Sequence, residues 1–317
     1  MHLVIPYASA ADPQALAALA ELSLPALDSA LAFLTPGGLA GGTAPLETGA
    51  PDEYSLELPH ERLLASLCGL PPDTPAPLAA WALAQAGQAP GALAWARLTP
   101  LHCDVGSDQV TALDPAALDL DEARSQAFFD ALAPLFPEDE GWTRRHLAPG
   151  QWFLAHEQLA GLPTASLDRV IHRNVDAWLP EPRLLRRLQM EAQMTLHGHP
   201  LNAAREAEGQ RPINSVWIWG CGPAPRQALS AGVEVDERLR AAWISGDWAA
   251  WAEAWRALDA ERLRPLVPAL RAGTATLSLA GERLAATLQP RPRRWPERLL
   301  AALRPARGLS NRLLERL

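Results

Sequence analysis

The chain has 317 residues and a formal net charge of −8, and all 28 of its Lys+Arg residues are Arg. Without lysine there is no side-chain amine for a Schiff base, no P-loop lysine and no kinase-type phosphate grip. Arginine stays protonated near neutral pH, so it cannot serve as a base.

The charge is uneven. Residues 1–140 carry 3 Arg and 19 Asp+Glu, residues 141–280 carry 16 and 14, and residues 281–317 carry 9 and 3. An acidic body excludes general nucleic-acid binding, which rests on phosphate neutralisation. The basic tail is expected to meet the chain's own acidic half, with an acidic partner or a membrane surface as the alternatives. Cys68, Cys103 and Cys221 show no paired spacing and read as reduced thiols of a cytoplasmic protein. The first residues, MHLVIPYASA, lack the basic and apolar regions of a signal peptide. The uncharged stretch 74–96 is broken by Pro75, Pro77, Gly87, Pro90 and Gly91, so no membrane span is expected.

Residues 2–8 read as a short buried strand, followed by helical spacing over 13–34 with a break near Pro25. Residues 35–53 are a Gly- and Pro-rich loop by composition. PHERLLASLC, 59–68, predicts a helix with Pro59 in its first turn, where proline is tolerated, and 77–87 predicts another. Residues 91–114 read as strands joined by turns, 121–135 as a helix, and 141–157 as two strands across a Pro-Gly turn. Residues 182–198 read as a helix. INSVWIWGCG, 213–222, reads as a strand entering a glycine turn. Residues 234–262 read as helical, 274–280 as a strand, and 295–317 as a basic amphipathic helix or two. Strands alternating with helices argue an α/β protein.

The densest chemistry lies in 197–222. His199, Asn202, Arg205, Arg211 and Asn214 could supply the fixed N–H and guanidinium donors that an anion needs. The bland reading is that Asn202 caps a helix and the arginines are solvated. His197 with His199, and His102 with Asp104 near Cys103, are loose clusters. There is no HExxH, CxxC or EF-hand loop, so no metal site and no cofactor are expected. No GxSxG elbow occurs. Cys221 between Gly220 and Gly222 reads as a buried thiol in a tight turn or as an exposed nucleophile. Trp243, Trp248, Trp251 and Trp255 share a helical face, either a packed core face or a surface for a protein partner.

HPLNAAREAEGQRPINSVWIWGCG, 199–222, resembles a stretch of the archaeal-type cofactor-independent phosphoglycerate mutases of the alkaline-phosphatase superfamily. The matching residues are His199, Pro200, Asn202, Arg205, Gly209, Pro212, Asn214, Gly220 and Gly222. LSLPALDSALA at 22–32, the stretch 98–132 and the stretch 258–282 are similar in the same order. With its Trp-rich INSVWIWGCG and LPHERLLASL, the chain looks closer still to the RpfE-type regulatory proteins, relatives of these mutases.

The resemblance implies an α/β alkaline-phosphatase-like core sheet flanked by helices, with an inserted α+β domain. The core is expected over 1–88 and 226–285, the insert over 89–225 and a basic helical tail over 286–317. It also implies two divalent metals held by Asp and His, and a phosphate-carrying Ser. The chain departs at those points. The first strand runs into IPYAS with no Asp before Asp12, and His60 of LPHER stands where the Ser belongs. The late strand runs into Ala280, Gly281 and Glu282 instead of an Asp-His pair, and GDWAAWAEAW replaces the metal-rich segment.

Two functions follow. One is an inactive mutase-like protein with a regulatory or protein-binding role, through the Trp-rich stretch 243–255 or the basic tail. Such a protein could sense a small phosphorylated or carboxylated ligand at His199, Asn202, Arg205, Arg211 and Asn214. The alternative is a phosphotransfer enzyme with His60 as nucleophile and Glu61 orienting charge beside it.

Overall fold

The computed structural model describes residues 1–37, 55–290 and 308–317. Of the loop expected over 35–53, Thr35 and Pro36 instead belong to a short strand, and residues 38–53, like the basic stretch 295–307, lie outside the described residues. In chain order the first elements are β1 (His2–Ile5), α1 (Pro13–Glu21), α2 (Pro25–Leu31), β2 (Leu34–Pro36), α3 (Pro59–Leu67) and α4 (Leu78–Gln85). Then come β3 (Ala94–Leu101), β4 (Cys103–Val105), β5 (Val110–Ala112), α5 (Glu122–Ala131), β6 (Thr143–Ala148), β7 (Gln151–Ala155) and α6 (Leu167–Val170). The remainder are α7 (Arg183–Leu196), α8 (Pro200–Ala207), β8 (Ser215–Pro223), β9 (Val233–Val235), α9 (Arg240–Ser245) and α10 (Trp248–Leu258). They are followed by α11 (Arg264–Ala272), β10 (Thr276–Ala280), β11 (Ala285–Pro290) and α12 (Leu309–Leu314). Among the described residues no helix is long and apolar enough to cross a membrane.

The chain divides into two compact units, the second inserted in sequence into the first. The first takes the described residues of 1–37, 58–72, 229–290 and 308–317. Its sheet has the order β2-β11-β10-β1-β9, with β10, β1 and β9 parallel and the other pairs antiparallel. Helix α3 contacts β10 and β11 and α2 contacts β2, while α11 packs on α2 and α1 on α10, which makes this unit α/β.

Asp259 sits in a π-helical turn, Asp259–Leu263, between α10 and α11. Its carboxylate accepts the N–H groups of Ala26 (3.0 Å) and Leu27 (2.8 Å) at the start of α2. Burial pushes its pKa above the usual carboxylate range, against the pull of those two N–H bonds and of Arg264; Asp28 adds to the rise. The folded state therefore holds this proton more tightly than the unfolded chain. The resulting stability is present at low pH and lost as pH rises through the raised folded value. Urea unfolding from pH 4 to 7 should show wild-type stability falling relative to that of Asp259→Asn as pH rises. A rise relative to the variant would refute the assignment.

The second unit takes the described residues of 55–57 and 73–228. Its antiparallel sheet has the order β6-β7-β3-β8, beside the two-stranded β4-β5 ribbon. One face packs on Phe128, Phe129, Leu185, Leu188 and Ala192 of α5 and α7, and the other on Ala79, Ala80 and Leu83 of α4. The buried Ser125 hydroxyl ties the β6-β7 hairpin to α5 through His146 Nε2, Gly150 N–H and Trp152 Nε1–H.

The structure corrects several sequence expectations. Helix α4 belongs with the second unit, so the boundary falls at 72/73 and not at 88. Residues 286–290 finish strand β11 instead of opening a helical tail. Residues 233–235 form a strand, and helix begins only at Arg240. Gly220 and Gly222 lie inside β8, not in a turn. A Cβ on Gly220 would stand 2.9 Å from Leu78 Cβ, and one on Gly222 would stand 2.9 Å from Pro77 Cβ. Both glycines are thus needed for α4 to approach the strand.

Cys221 is fully buried in β8, and burial pushes its thiol up to about 12. It is no exposed nucleophile, because thiolate is the reactive form. Under native conditions a thiol reagent should label the half-buried Cys103 and leave Cys68 and Cys221 until urea is added. Native labelling of Cys221 would contradict the structure.

Candidate functional site

Two places were expected to carry chemistry, one in each unit. In the first unit, β1 and β10 run parallel and end at Ile5 and Ala280. Ligands of open α/β sheets bind outside the carboxyl ends of the strands, so the loop Pro6–Ala11 is where a site belongs.

That loop is closed. Tyr7 has φ 58°, a left-handed conformation that is strained for a bulky residue. The reversal leaves three successive carbonyl groups, from Tyr7 to Ser9, outside the strand ladder. Each receives an indole N–H from the tryptophans of α9 and α10. Trp251 donates to Tyr7 O at 2.9 Å, Trp255 to Ala8 O at 3.2 Å and Trp243 to Ser9 O at 3.1 Å. All three rings are buried. Trp251 meets Trp255 edge to face, with centroids 6.3 Å apart. These rings form core, so they offer no partner surface; only Trp248 of this group is half-buried.

His60 is buried in the first turn of α3, its ring 5.0 Å from that of Tyr7. The Tyr7 ring in turn lies 5.3 Å from Trp243. The Glu61 carboxylate accepts the Leu58 N–H at 2.7 Å and caps the helix. Asp12 caps α1 through the N–H groups of Gln14 and Ala15, and Glu282 accepts the Ala11 N–H at 2.8 Å. Each of these three acids thus accepts at least one backbone N–H.

At the end of β10, the Leu317 carbonyl accepts the N–H groups of Arg283 and Leu284. A Cβ on Gly281 would lie 2.5 Å from the Leu317 carbonyl carbon, so only glycine admits this approach. Among the described residues no three His, Cys, Asp or Glu side chains are grouped to hold a metal ion. The donor set therefore does not fit the two-metal centre that the resemblance implies.

In the second unit the segment 199–214 is an internal lock. His199 Nδ1 accepts the Leu201 N–H and caps α8. Asn202 is buried, and its amide donates to Leu196 O (3.0 Å) and Ile213 O (2.8 Å) and accepts the Ile213 N–H (2.8 Å). Arg205 is 2% exposed and donates from Nε to Arg211 O and from Nη2 to Leu118 O. Burial lowers its pKa, with Arg124 nearby adding to the effect. Asn214 pairs with both Cys103 N–H (2.7 Å) and Cys103 O (2.9 Å), as a strand backbone would. Arg211 is half exposed and faces Asp104 at 3.5 Å. The five residues therefore share one loop system but do not converge as free donors on one opening.

No family model matches the chain. Short stretches are similar to curated cofactor-independent mutases. The chain is 46% identical over 41 residues to a probable 2,3-bisphosphoglycerate-independent phosphoglycerate mutase from Geobacter sulfurreducens, covering 13% of this chain and 10% of that protein. It is 36% identical over 55 residues to the 2,3-bisphosphoglycerate-independent phosphoglycerate mutase of Methanosarcina mazei, covering 16% and 14%. The matched stretches thus span a small fraction of these relatives. Among solved structures, the PH0037 protein from Pyrococcus horikoshii aligns over 91% of this chain and 87% of its own, with a TM-score of 0.49 and 13% identity. The cofactor-independent phosphoglycerate mutase from Thermoplasma acidophilum aligns over 91% and 89%, with a TM-score of 0.36 and 13% identity. The sequence matches support a phosphoglycerate-mutase-like relationship.

Proposed function

We propose that this protein is a mutase-like, alkaline-phosphatase-type scaffold that no longer transfers phosphate and acts by binding, as an RpfE-type regulatory protein. The observation that carries the reading is the closure of the Tyr7–Ser9 loop by three indole N–H groups. Metal-assisted phosphoryl transfer needs several carboxylates and imidazoles around an open site. Here the strand ends are lined by aromatic rings, and the nearby acids cap backbone. His60 as a phospho-accepting nucleophile would need a phosphate beside its ring, where Tyr7 packs instead.

The test is a mutase and phosphatase assay with Mn²⁺, Mg²⁺ and Zn²⁺, together with metal analysis of the purified protein. Neither turnover nor stoichiometric metal is expected. Turnover that disappears in His60→Ala would overturn the reading in favour of the enzyme.

A further inference from the structure

The second unit carries an apolar cleft that shares only Cys103 and Asn214 with the segment described above. Among the described residues large exposed hydrophobic side chains are few, and three of them meet here: Val105 (79% exposed), Met190 (62%) and Met194 (73%). Met190 and Met194 lie one turn apart on α7 and are the only methionines of the chain besides Met1. Exposed apolar side chains that cluster mark a binding surface more often than scattered ones do, and methionine adapts to varied ligands.

With Val110, Val175 and Trp217 these residues wall a cleft of about 670 Å³, within the usual range for small-molecule sites. Among the described residues no Asp, Glu or Arg lines it. Its polar lining consists of the amides of Gln189, Gln193 and Asn214 with Cys103, His197 and Ser215, and two of the amides are held by hydrogen bonds. Gln189 donates Nε2 to Val216 O (3.3 Å) and Gln193 donates Nε2 to Ser215 Oγ (3.1 Å). Neither amide carbonyl accepts a hydrogen bond from a described residue, so both are open to a donor.

An extended peptide is disfavoured. β8 is the outer strand of its sheet, but Gln189 already takes its Val216 carbonyl and Thr164 Oγ1 takes its Gly220 N–H (3.0 Å). A strand added to that edge would find these groups occupied.

We propose that this cleft binds an uncharged, mostly apolar small molecule that presents one N–H or O–H donor to Gln189 and Gln193. The absence of carboxylates and guanidinium groups from the described wall selects against anions and cations, which would lose their hydration without a fixed counter-charge. The apolar walls supply most of the affinity, and the two fixed acceptors supply the orientation.

Methionine labelled with ¹³C at the methyl group gives three signals in this chain, two of them in the cleft. The probe is N-benzylacetamide, compared with N-benzyl-N-methylacetamide, phenylacetate and benzylamine. Saturable shifts of the Met190 and Met194 methyls are expected with N-benzylacetamide, and none at Met1. Loss of the donor hydrogen should weaken binding about tenfold, the size of one net hydrogen bond. Met194→Glu, at an already exposed position, should abolish the shifts. In Gln193→Leu the secondary and tertiary amides should bind more nearly alike. The proposal is overturned by no saturable shift with either amide, or by phenylacetate or benzylamine binding as well as the amide. It is overturned equally by methyl signals that broaden with protein concentration alone, which would mean that a second copy covers the cleft.

Discussion

Trp251→Ala is expected to cost about 3–5 kcal/mol of stability, the range for removing a buried tryptophan from a core. Trp251 is fully buried, so nothing else fills the space that the indole leaves. The same change strips the Tyr7 carbonyl of its donor, and Tyr7 already holds a left-handed backbone. Trp251→Phe separates the two losses. It keeps most of the ring but not the N–H, and should cost about 1–3 kcal/mol for a buried acceptor left unpaired. Urea unfolding followed by circular dichroism measures both. If Trp251→Phe were neutral, the hydrogen bond to the loop would not matter, and the closure of the strand ends would rest on packing alone. If instead either variant acquired phosphatase activity, the loop would be a gate and not a permanent seal.

How much of this was legible in the sequence can be said residue by residue. The helices α3, α5 and α7, the β6-β7 hairpin and the strand β8 follow from apolar spacing, a tolerated Pro59 and a Pro-Gly turn. The unit boundary was misplaced because α4 is apolar on more than one face, so periodicity could not say which sheet it covers. It lies on β8 and β3, an arrangement decided by Gly220 and Gly222. Those glycines read as a turn because glycine marks both turns and close approaches.

The closure of the Tyr7–Ser9 loop was only half visible. The missing acids after β1 were plain, and so was the tryptophan stripe; their pairing was not. A usable signal existed. A buried indole must place its N–H somewhere, and a buried irregular loop must find donors for its carbonyls. Three such rings and one apolar loop are complementary demands, but only the tertiary fold brings positions 7–9 and 243–255 together. In the same way, Asp259 betrays nothing of its grip on α2, which spans more than two hundred residues of sequence.

Asn202→Ala decides between the two readings of the segment at 199–214. As a lock, Asn202 satisfies the Leu196 carbonyl and both backbone groups of Ile213. Alanine would strand three buried polar groups at about 1–3 kcal/mol each, so a loss of about 3 kcal/mol or more is expected. As a ligand contact it would instead cost affinity and leave stability nearly intact. Arg211→Ala is the matched control. Its pair with Asp104 is half exposed, so the change should stay within about 0.5 kcal/mol. Urea unfolding of both variants, with and without 3-phosphoglycerate, separates the outcomes. Stabilisation of the wild type by the anion that Arg211→Ala alone abolishes would place a binding site on the exposed rim. The anion would then sit outside the buried lock, where the Asn202 amide is spent on Leu196 and Ile213 and Arg205 Nε and Nη2 on Arg211 and Leu118, and only the buried Arg205 Nη1 is left without a hydrogen-bond partner among the described residues. A stable Asn202→Ala that has lost an anion response would reverse that conclusion and make the asparagine a ligand contact after all.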